Sequence, residues 1–379
     1  MGSKAHVCTL YLLLLFAFTS EARANTFDVT KYGAKAGSDI TKALLSAWKE
    51  GCAAAGSGKV VVPKGKYFLG VVDLIGPCKG AMHLQVEGTL VAPAKASQYS
   101  KNSWVTLRYL DRLTVFGGGA FDGQGEIAWE RAHCGDRCKT PLPIPFIDQF
   151  MAAILIMFSL PPGHSLNVLS SKNLTFHLFS VKALGHSLNT DGIHIGRSEG
   201  INIINSNIVI GDDCISIGQG SRQYEKEEPV SGIYVKNCII YDTDNGVRIK
   251  IWPALYGGIA SNIHFEDIIM QNVSNPIIID QMYCPWNLCN RKKNTFILKY
   301  CAFFHNPSKV QIRDVSFKNI RGSSRTPTTV QITCSSSVPC KDIVLSNVNL
   351  KYTGSKGSAK SVYTNVKPRI IGKLIPGGC

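Results

Sequence analysis

Beyond its first two dozen residues the chain has no apolar run that could cross a bilayer. The longest, Met151 to Phe158, falls far short of the roughly 20 residues a membrane helix needs. Basic residues outnumber acidic ones by 41 to 26, yet there is no long Lys/Arg run and no interleaving of aromatic with basic side chains. Those absences argue against nucleic acid as the partner. Paired C-x-x-C motifs are also missing, which argues against structural zinc in spite of 13 cysteines. Past Cys52 the helical period disappears altogether.

What is present begins with an export signal. Residues 1–24 carry Lys4, an apolar stretch from Leu10 to Phe18 and the small-x-small sequence Ala22-Arg23-Ala24, the form of a cleaved signal peptide. The remainder, 25–379, is expected to be one extracellular domain that stays strongly basic. A basic secreted protein points to an acidic partner outside the cell, such as an anionic polysaccharide. Export also makes disulfides the expected use of the cysteines, with local pairs at Cys134/Cys138, Cys284/Cys289 and Cys334/Cys340 and a longer one at Cys52/Cys78. Asn173-Leu174-Thr175 and Asn272-Val273-Ser274 have the form of glycosylation acceptors.

The segment Ile40 to Cys52 places Ile40, Ala43, Leu44, Ala47 and Trp48 at helical spacing. Short strands follow, including 59–63, 68–74, 82–91 and 113–116, punctuated by Gly117-Gly118-Gly119 and by Asp122-Gly123-Gln124-Gly125. A repeating unit then appears, with anchors at Leu174, Ile203, Ile233, Ile263, Val310 and Ile343 and spacings of 29, 30, 30, 47 and 33. Periods of this size mark a solenoid. Isoleucine-rich strands and asparagine-rich corners favour an all-β parallel β-helix, with the single helix capping its open N-terminal edge.

The chemistry-bearing residues concentrate in three places: Asn189-Thr190-Asp191-Gly192, Gly211-Asp212-Asp213-Cys214 and Arg248-Ile249-Lys250. Each is unremarkable alone, since Asp-Gly is a common turn and Asp-Asp a common solvated bend. Their spacing changes the reading. Asp191 and Asp212 lie 21 residues apart, about one coil, so stacking at roughly 4.8 Å would bring their carboxylates together. Crowded carboxylates raise one another's pKa, leaving one protonated as an acid while others serve as bases, as glycoside hydrolysis requires. Arg248 and Lys250 would add cations for an acidic substrate.

These motifs, in this order, resemble the plant polygalacturonases of glycoside hydrolase family 28, above all the pollen-type exopolygalacturonases. Asn189 to Gly196, Gly211 to Gly218, Arg248-Ile249-Lys250, Asp122 to Gly125 and Asp280-Gln281-Met282-Tyr283-Cys284-Pro285-Trp286 carry the resemblance. It implies a right-handed parallel β-helix that hydrolyses α-1,4-galacturonan with inversion and without metal or other cofactor. It further implies Asp212 as general acid, Asp191 and Asp213 as bases, Arg248 and Lys250 as binders of the substrate carboxylate, Tyr283 as an aromatic subsite residue and Asn189 as a polar neighbour. Ordinary packing beside Cys284 explains Tyr283 equally well. A monomer acting on pectin in the cell wall is the expected form.

Four departures accompany the resemblance. After Gln223 the chain passes directly to Tyr224, where the family carries a Cys-Gly-Pro-Gly-His-Gly motif, so about one coil and the family's catalytic histidine are absent. A solenoid can lose a coil and still close in register, but Arg248 then moves one coil nearer to Asp212, and greatly reduced hydrolysis is expected. His186 and His194 read as structural rather than as replacements. Asn294 to Asn306 is an insertion, either a bulging surface loop or retained untranslated sequence. Pro143 to Ser165 lacks the expected alternation. Finally, Cys214 loses its partner with the missing coil, Tyr363 replaces the expected partner of Cys379, and Cys301 is a stray. Two other functions compete: a non-catalytic galacturonan-binding protein, and a calcium-dependent pectate lyase, which three aspartates with Arg-x-Lys disfavour.

Overall fold

The computed structural model describes residues 24–93, 105–108, 110–122, 153–156, 163–178, 180–182, 190–218, 229–251, 257–283 and 307–377. The signal segment, Asn189, His186, the Gln223/Tyr224 junction, the 294–306 insertion and the pairs Cys134/Cys138 and Cys284/Cys289 lie outside these residues.

The N-terminal amphipathic segment forms one helix, α1 (Thr41–Ala53). Its apolar stripe of Ala43, Leu44, Ala47 and Trp48 is buried against the first strands. Two details lock it there. Trp48 donates its indole N–H to the Ile75 carbonyl at 3.3 Å, and Cys52 is bonded to Cys78. The approach is close enough to require glycine at position 58, where a Cβ would lie 2.4 Å from the Gly51 carbonyl oxygen. The expected cap and its disulfide are therefore both present, as is Cys334–Cys340.

The rest of the described chain coils as a parallel β-helix, in sheets of 16, 10 and 3 strands. The long strand Lys341–Tyr352 joins two faces of the 16-stranded sheet. Rungs stack inward-facing residues in columns: Phe176, Ile203, Val235, Phe265, Phe317 and Leu345 are neighbours in register. All six are buried. Each such side chain contributes about 1.5–3 kcal/mol on removal from water, and the rung spacing alone places the Phe265 and Phe317 rings 5.2 Å apart and nearly parallel. At the corners Asn205, Asn237, Asp267, Asn319 and Asn347 adopt positive φ, the left-handed conformation that short polar side chains tolerate best. Their side chains link rung to rung, as in the bond from Asn319 Nδ2 to Asp267 Oδ1 at 2.9 Å.

Three sequence expectations need correction. The register pairs Ile233 with Ile201 rather than Ile203, and Ile263 with Val315 rather than Val310. All six residues are buried, so the inward-facing pattern could not distinguish the alternative partners. The stretches 68–74 and 82–91 each divide into two strands, Lys66–Phe68 with Val72–Ile75 and Met82–Val86 with Thr89–Val91. Ala153–Ile156, within the segment that lacks alternation, runs antiparallel between Val105–Arg108 and Gly163–Leu169, an exception to the parallel coil.

Both candidate glycosylation asparagines, Asn173 and Asn272, are exposed corner residues with positive φ. Their Nδ2 atoms already donate to Asp111 and Asp242 of the preceding rungs, at 3.0 and 2.7 Å.

Candidate active site

Three neighbouring strands of the 10-stranded sheet carry the motif residues: β1 (Thr190–Gly196), β2 (Asp213–Ile217) and β3 (Asn245–Lys250). Their inward positions Ile193, Ile215 and Val247 stack in the core, which fixes the register. The same register sets His194, Ser216 and Arg248 side by side. The core columns thus decide which polar groups meet.

Asp191 and Asp213 are buried, and Lys250 lies between them with Nζ 2.7 Å from Oδ2 of each. Arg248 Nη1 lies 3.1 Å from Asp213 Oδ1. Asp212 is only partly buried and accepts a hydrogen bond from Asn245 Nδ2 at 3.1 Å. One oxygen from each of the three carboxylates falls within 4.8 Å of the others. Tyr283 packs against both cations, its ring centre 4.7 Å from the Arg248 guanidinium carbon and 5.7 Å from Lys250 Nζ. The geometry therefore gathers Asp191, Asp212, Asp213, Arg248, Lys250 and Tyr283 into one cluster.

The electrostatics separate these groups into two kinds. Burial, reinforced by repulsion from Asp213 and Asp191, pushes the Asp212 carboxyl up to about 6 from its ordinary 3.8, although Lys250 and Arg248 partly offset the rise. Burial disfavours the Lys250 ammonium, but Asp191 and Asp213 outweigh it and hold its pKa above the usual lysine range. With Asp212 protonated, two carboxylates and two cations balance. The cluster thus offers a carboxylic acid beside ion-paired carboxylates, the division of labour that acid–base catalysis needs. The acidic trio could also suit a divalent cation, but the Lys250 ammonium stands between two of its members.

Some of the cluster was not legible beforehand. Asn245 precedes Arg248 on β3, and its bond to Asp212 depends on the rung register; Asn275 from the next rung in turn donates to Asn245 Oδ1 at 3.0 Å. Ser216 is fully buried and donates its hydroxyl to Asp191 Oδ2 at 2.9 Å. Cys214 and Cys238 are buried thiols without disulfides, in keeping with the lost partner expected for Cys214.

Known proteins resemble this chain in sequence and in fold. The sequence profile described as Glycosyl hydrolases family 28 matches residues 52–226 and 220–370. A polygalacturonase of Gossypium hirsutum is 43% identical over 396 aligned positions, covering 97% of this chain and 94% of the relative. An exopolygalacturonase of Oenothera organensis is 44% identical over 368 positions, covering 90% of this chain and 98% of the relative. Two solved structures share the fold: an exopolygalacturonase from Thermotoga maritima (TM-score 0.55, 15% identity, 92% of each chain) and an endo-xylogalacturonan hydrolase from Aspergillus tubingensis (TM-score 0.57, 19% identity, 93% of this chain and 99% of the other). That fold is the right-handed parallel β-helix. The Gossypium hirsutum alignment spans 396 positions against 379 residues here, so at least 17 of its positions have no counterpart in this chain.

Proposed function

Because the chain belongs to glycosyl hydrolases family 28, we propose that it is a secreted polygalacturonase-type protein whose cleft takes α-1,4-galacturonan of the cell wall, in the exo manner, with hydrolysis slowed by the coil missing after Gln223. The observation that carries this reading is the cluster itself: a carboxyl with a pKa of about 6 beside two ion-paired carboxylates and two cations. In it Asp212 protonates the glycosidic oxygen, and Asp191 or Asp213 activates water on the other side of the bond. Arg248 and Tyr283 receive the sugar acid. Arg248 Nε is a buried donor with no hydrogen-bond partner, a vacancy that a substrate carboxylate would fill. The exo assignment draws on the exopolygalacturonase relative from Oenothera organensis.

Carboxylate separation does not by itself argue for inversion. An inverting pair ordinarily stands about 6.5–9.5 Å apart to admit water, whereas these oxygens lie within 4.8 Å. Inversion is taken from the family alone. The expectation of slow turnover draws on the two profile matches meeting at 220–226, around the Gln223–Tyr224 junction, and on the aligned positions without a counterpart.

A second reading, galacturonan binding without cleavage, is favoured by one observation: Lys250 is committed to Asp191 and Asp213 at 2.7 Å each, which occupies the oxygens that would activate water. Both readings require recognition of a sugar acid. Titration of the purified chain with trigalacturonate and with a neutral galactose trimer tests that shared premise. Affinity for the acid alone, falling at least about tenfold in Arg248→Gln, is the expected result, since a charge-assisted hydrogen bond contributes about 1.5–3 kcal/mol. Equal affinity for the neutral trimer would refute it.

A further inference from the structure

His194 lies on β1 between two core isoleucines, and its ring reaches toward the adjacent rung. Its Nδ1 lies 2.7 Å from Ser216 Oγ. The Ser216 hydroxyl in turn donates to Asp191 Oδ2 at 2.9 Å, the oxygen that also receives Lys250 Nζ. A serine hydroxyl has a single hydrogen, and here Asp191 takes it. The oxygen of Ser216 must then accept the proton of His194, which requires neutral His194 to carry that proton on Nδ1.

Position 218 makes room for the ring. A Cβ built on Gly218 would stand 3.0 Å from the Lys250 carbonyl oxygen and 3.2 Å from His194 Cε1, so alanine would press on both the neighbouring strand and the imidazole. Ser216 is fully buried, so water does not compete for its hydroxyl.

An internal control exists on the 16-stranded sheet. There His264 Nδ1 lies 2.7 Å from Ser316 Oγ, the same pairing across one rung. Its Nε2 lies 2.8 Å from Asn262 Oδ1, which also accepts from the Tyr234 hydroxyl at 2.8 Å. An amide oxygen only accepts, so neutral His264 carries its proton on Nε2 and its Nδ1 receives the Ser316 hydroxyl. The same two residue types thus point the serine hydrogen in opposite directions, away from the imidazole on the 10-stranded sheet and toward it on the 16-stranded sheet.

We propose that His194 and Ser216 form a positioning relay for Asp191, in which the imidazole fixes the serine hydroxyl so that its hydrogen is delivered to the carboxylate. The inference rests on the reading of Asp191 as part of the catalytic cluster, and gives that cluster a histidine on its Asp191 side. His194 touches no reacting atom in this scheme; it acts through Ser216.

The test is nuclear magnetic resonance of the full chain without substrate, so its outcome is independent of whether galacturonan is bound or cleaved. With ¹⁵N-histidine at about pH 8, above the ordinary imidazole range, His194 is expected as the Nδ1–H tautomer and His264 as the Nε2–H tautomer. With ¹³C-labelled aspartate, Ser216→Ala and His194→Phe are both expected to shift the Asp191 carboxyl resonance. His194→Asn, which can present an N–H near the Nδ1 position, is expected to restore it. His264→Phe should leave it in place and serves as the control for folding. An Nε2–H tautomer at His194 overturns the proposal. So does an Asp191 resonance that moves in Ser216→Ala but not in His194→Phe, since the relay would then end at the serine.

Discussion

Lys236 and Lys250 each straddle two carboxylates, one on the solvent face of the 16-stranded sheet and one in the buried cluster on the 10-stranded sheet. Lys236 Nζ stands 3.4 Å from Glu266 and 4.0 Å from Asp267, with 47% of its side chain exposed. Lys250 stands 2.7 Å from both Asp191 and Asp213, with 11% exposed. The residue types and the cross-rung geometry are much alike; the surroundings differ. In solvent such a pair is screened and worth little. Out of solvent, each charge depends on the others for compensation, so the raised Asp212 carboxyl and the ion pairs of Asp191 and Asp213 are set together.

Removal of the two lysines sharpens that contrast most. Lys250→Met leaves two buried carboxylates short of their shared cation and is expected to lower unfolding stability by about 3–5 kcal/mol. Lys236→Met should cost no more than about 1 kcal/mol. Urea denaturation of the two variants decides the matter, and similar losses would erase the distinction between the faces.

A smaller effect concerns pH. The folded chain keeps the Asp212 proton up to about pH 6, whereas the unfolded chain releases it near the ordinary 3.8. The folded state therefore binds more protons between these values, and stability falls as pH rises from about 4 to about 6. Asp212→Asn removes this penalty. The variant is expected to gain melting temperature relative to the parent as pH rises through that window and to hold the gain above it. A difference independent of pH between 4 and 7 would contradict the assignment of the raised carboxyl.

Much of this was readable in the sequence, for identifiable reasons. Asp191, Asp212, Asp213, Arg248 and Lys250 sit in short motifs whose order survives any error in counting coils. The helix of α1 follows from local spacing, and the Cys52–Cys78 bond from the use of cysteines expected in an exported chain. Register was less legible. Ile201 and Ile203 both face the core, so periodicity alone could not choose between them, and the partners of Asn245 and Ser216 likewise rest on the register of β1 to β3. His194 alternates with core isoleucines, which reads as structural; only the rung beside it reveals the serine and the carboxylate beyond.

Chain length between rungs matters in the same unequal way. Gly258–Glu266 and Val310–Lys318 pair without a slip, although the sequence connecting them includes all of residues 294–306. β2 and β3 also pair without a slip, across the Gln223–Tyr224 junction, and beside it the two cations close onto the aspartates. Register is kept in both places because each rung contacts only its neighbours. Catalysis has less tolerance, since a misplacement of about 1 Å can cost roughly a hundredfold in rate.

The most direct measurement is reducing-end release from polygalacturonate by this chain and by a version with a Cys-Gly-Pro-Gly-His-Gly coil restored between Gln223 and Tyr224. The account expects the restored protein to be faster by about a hundredfold or more, with the present chain retaining affinity for the polymer. Equal rates would contradict it, and would mean that the three aspartates with Arg248 and Lys250 suffice as they stand.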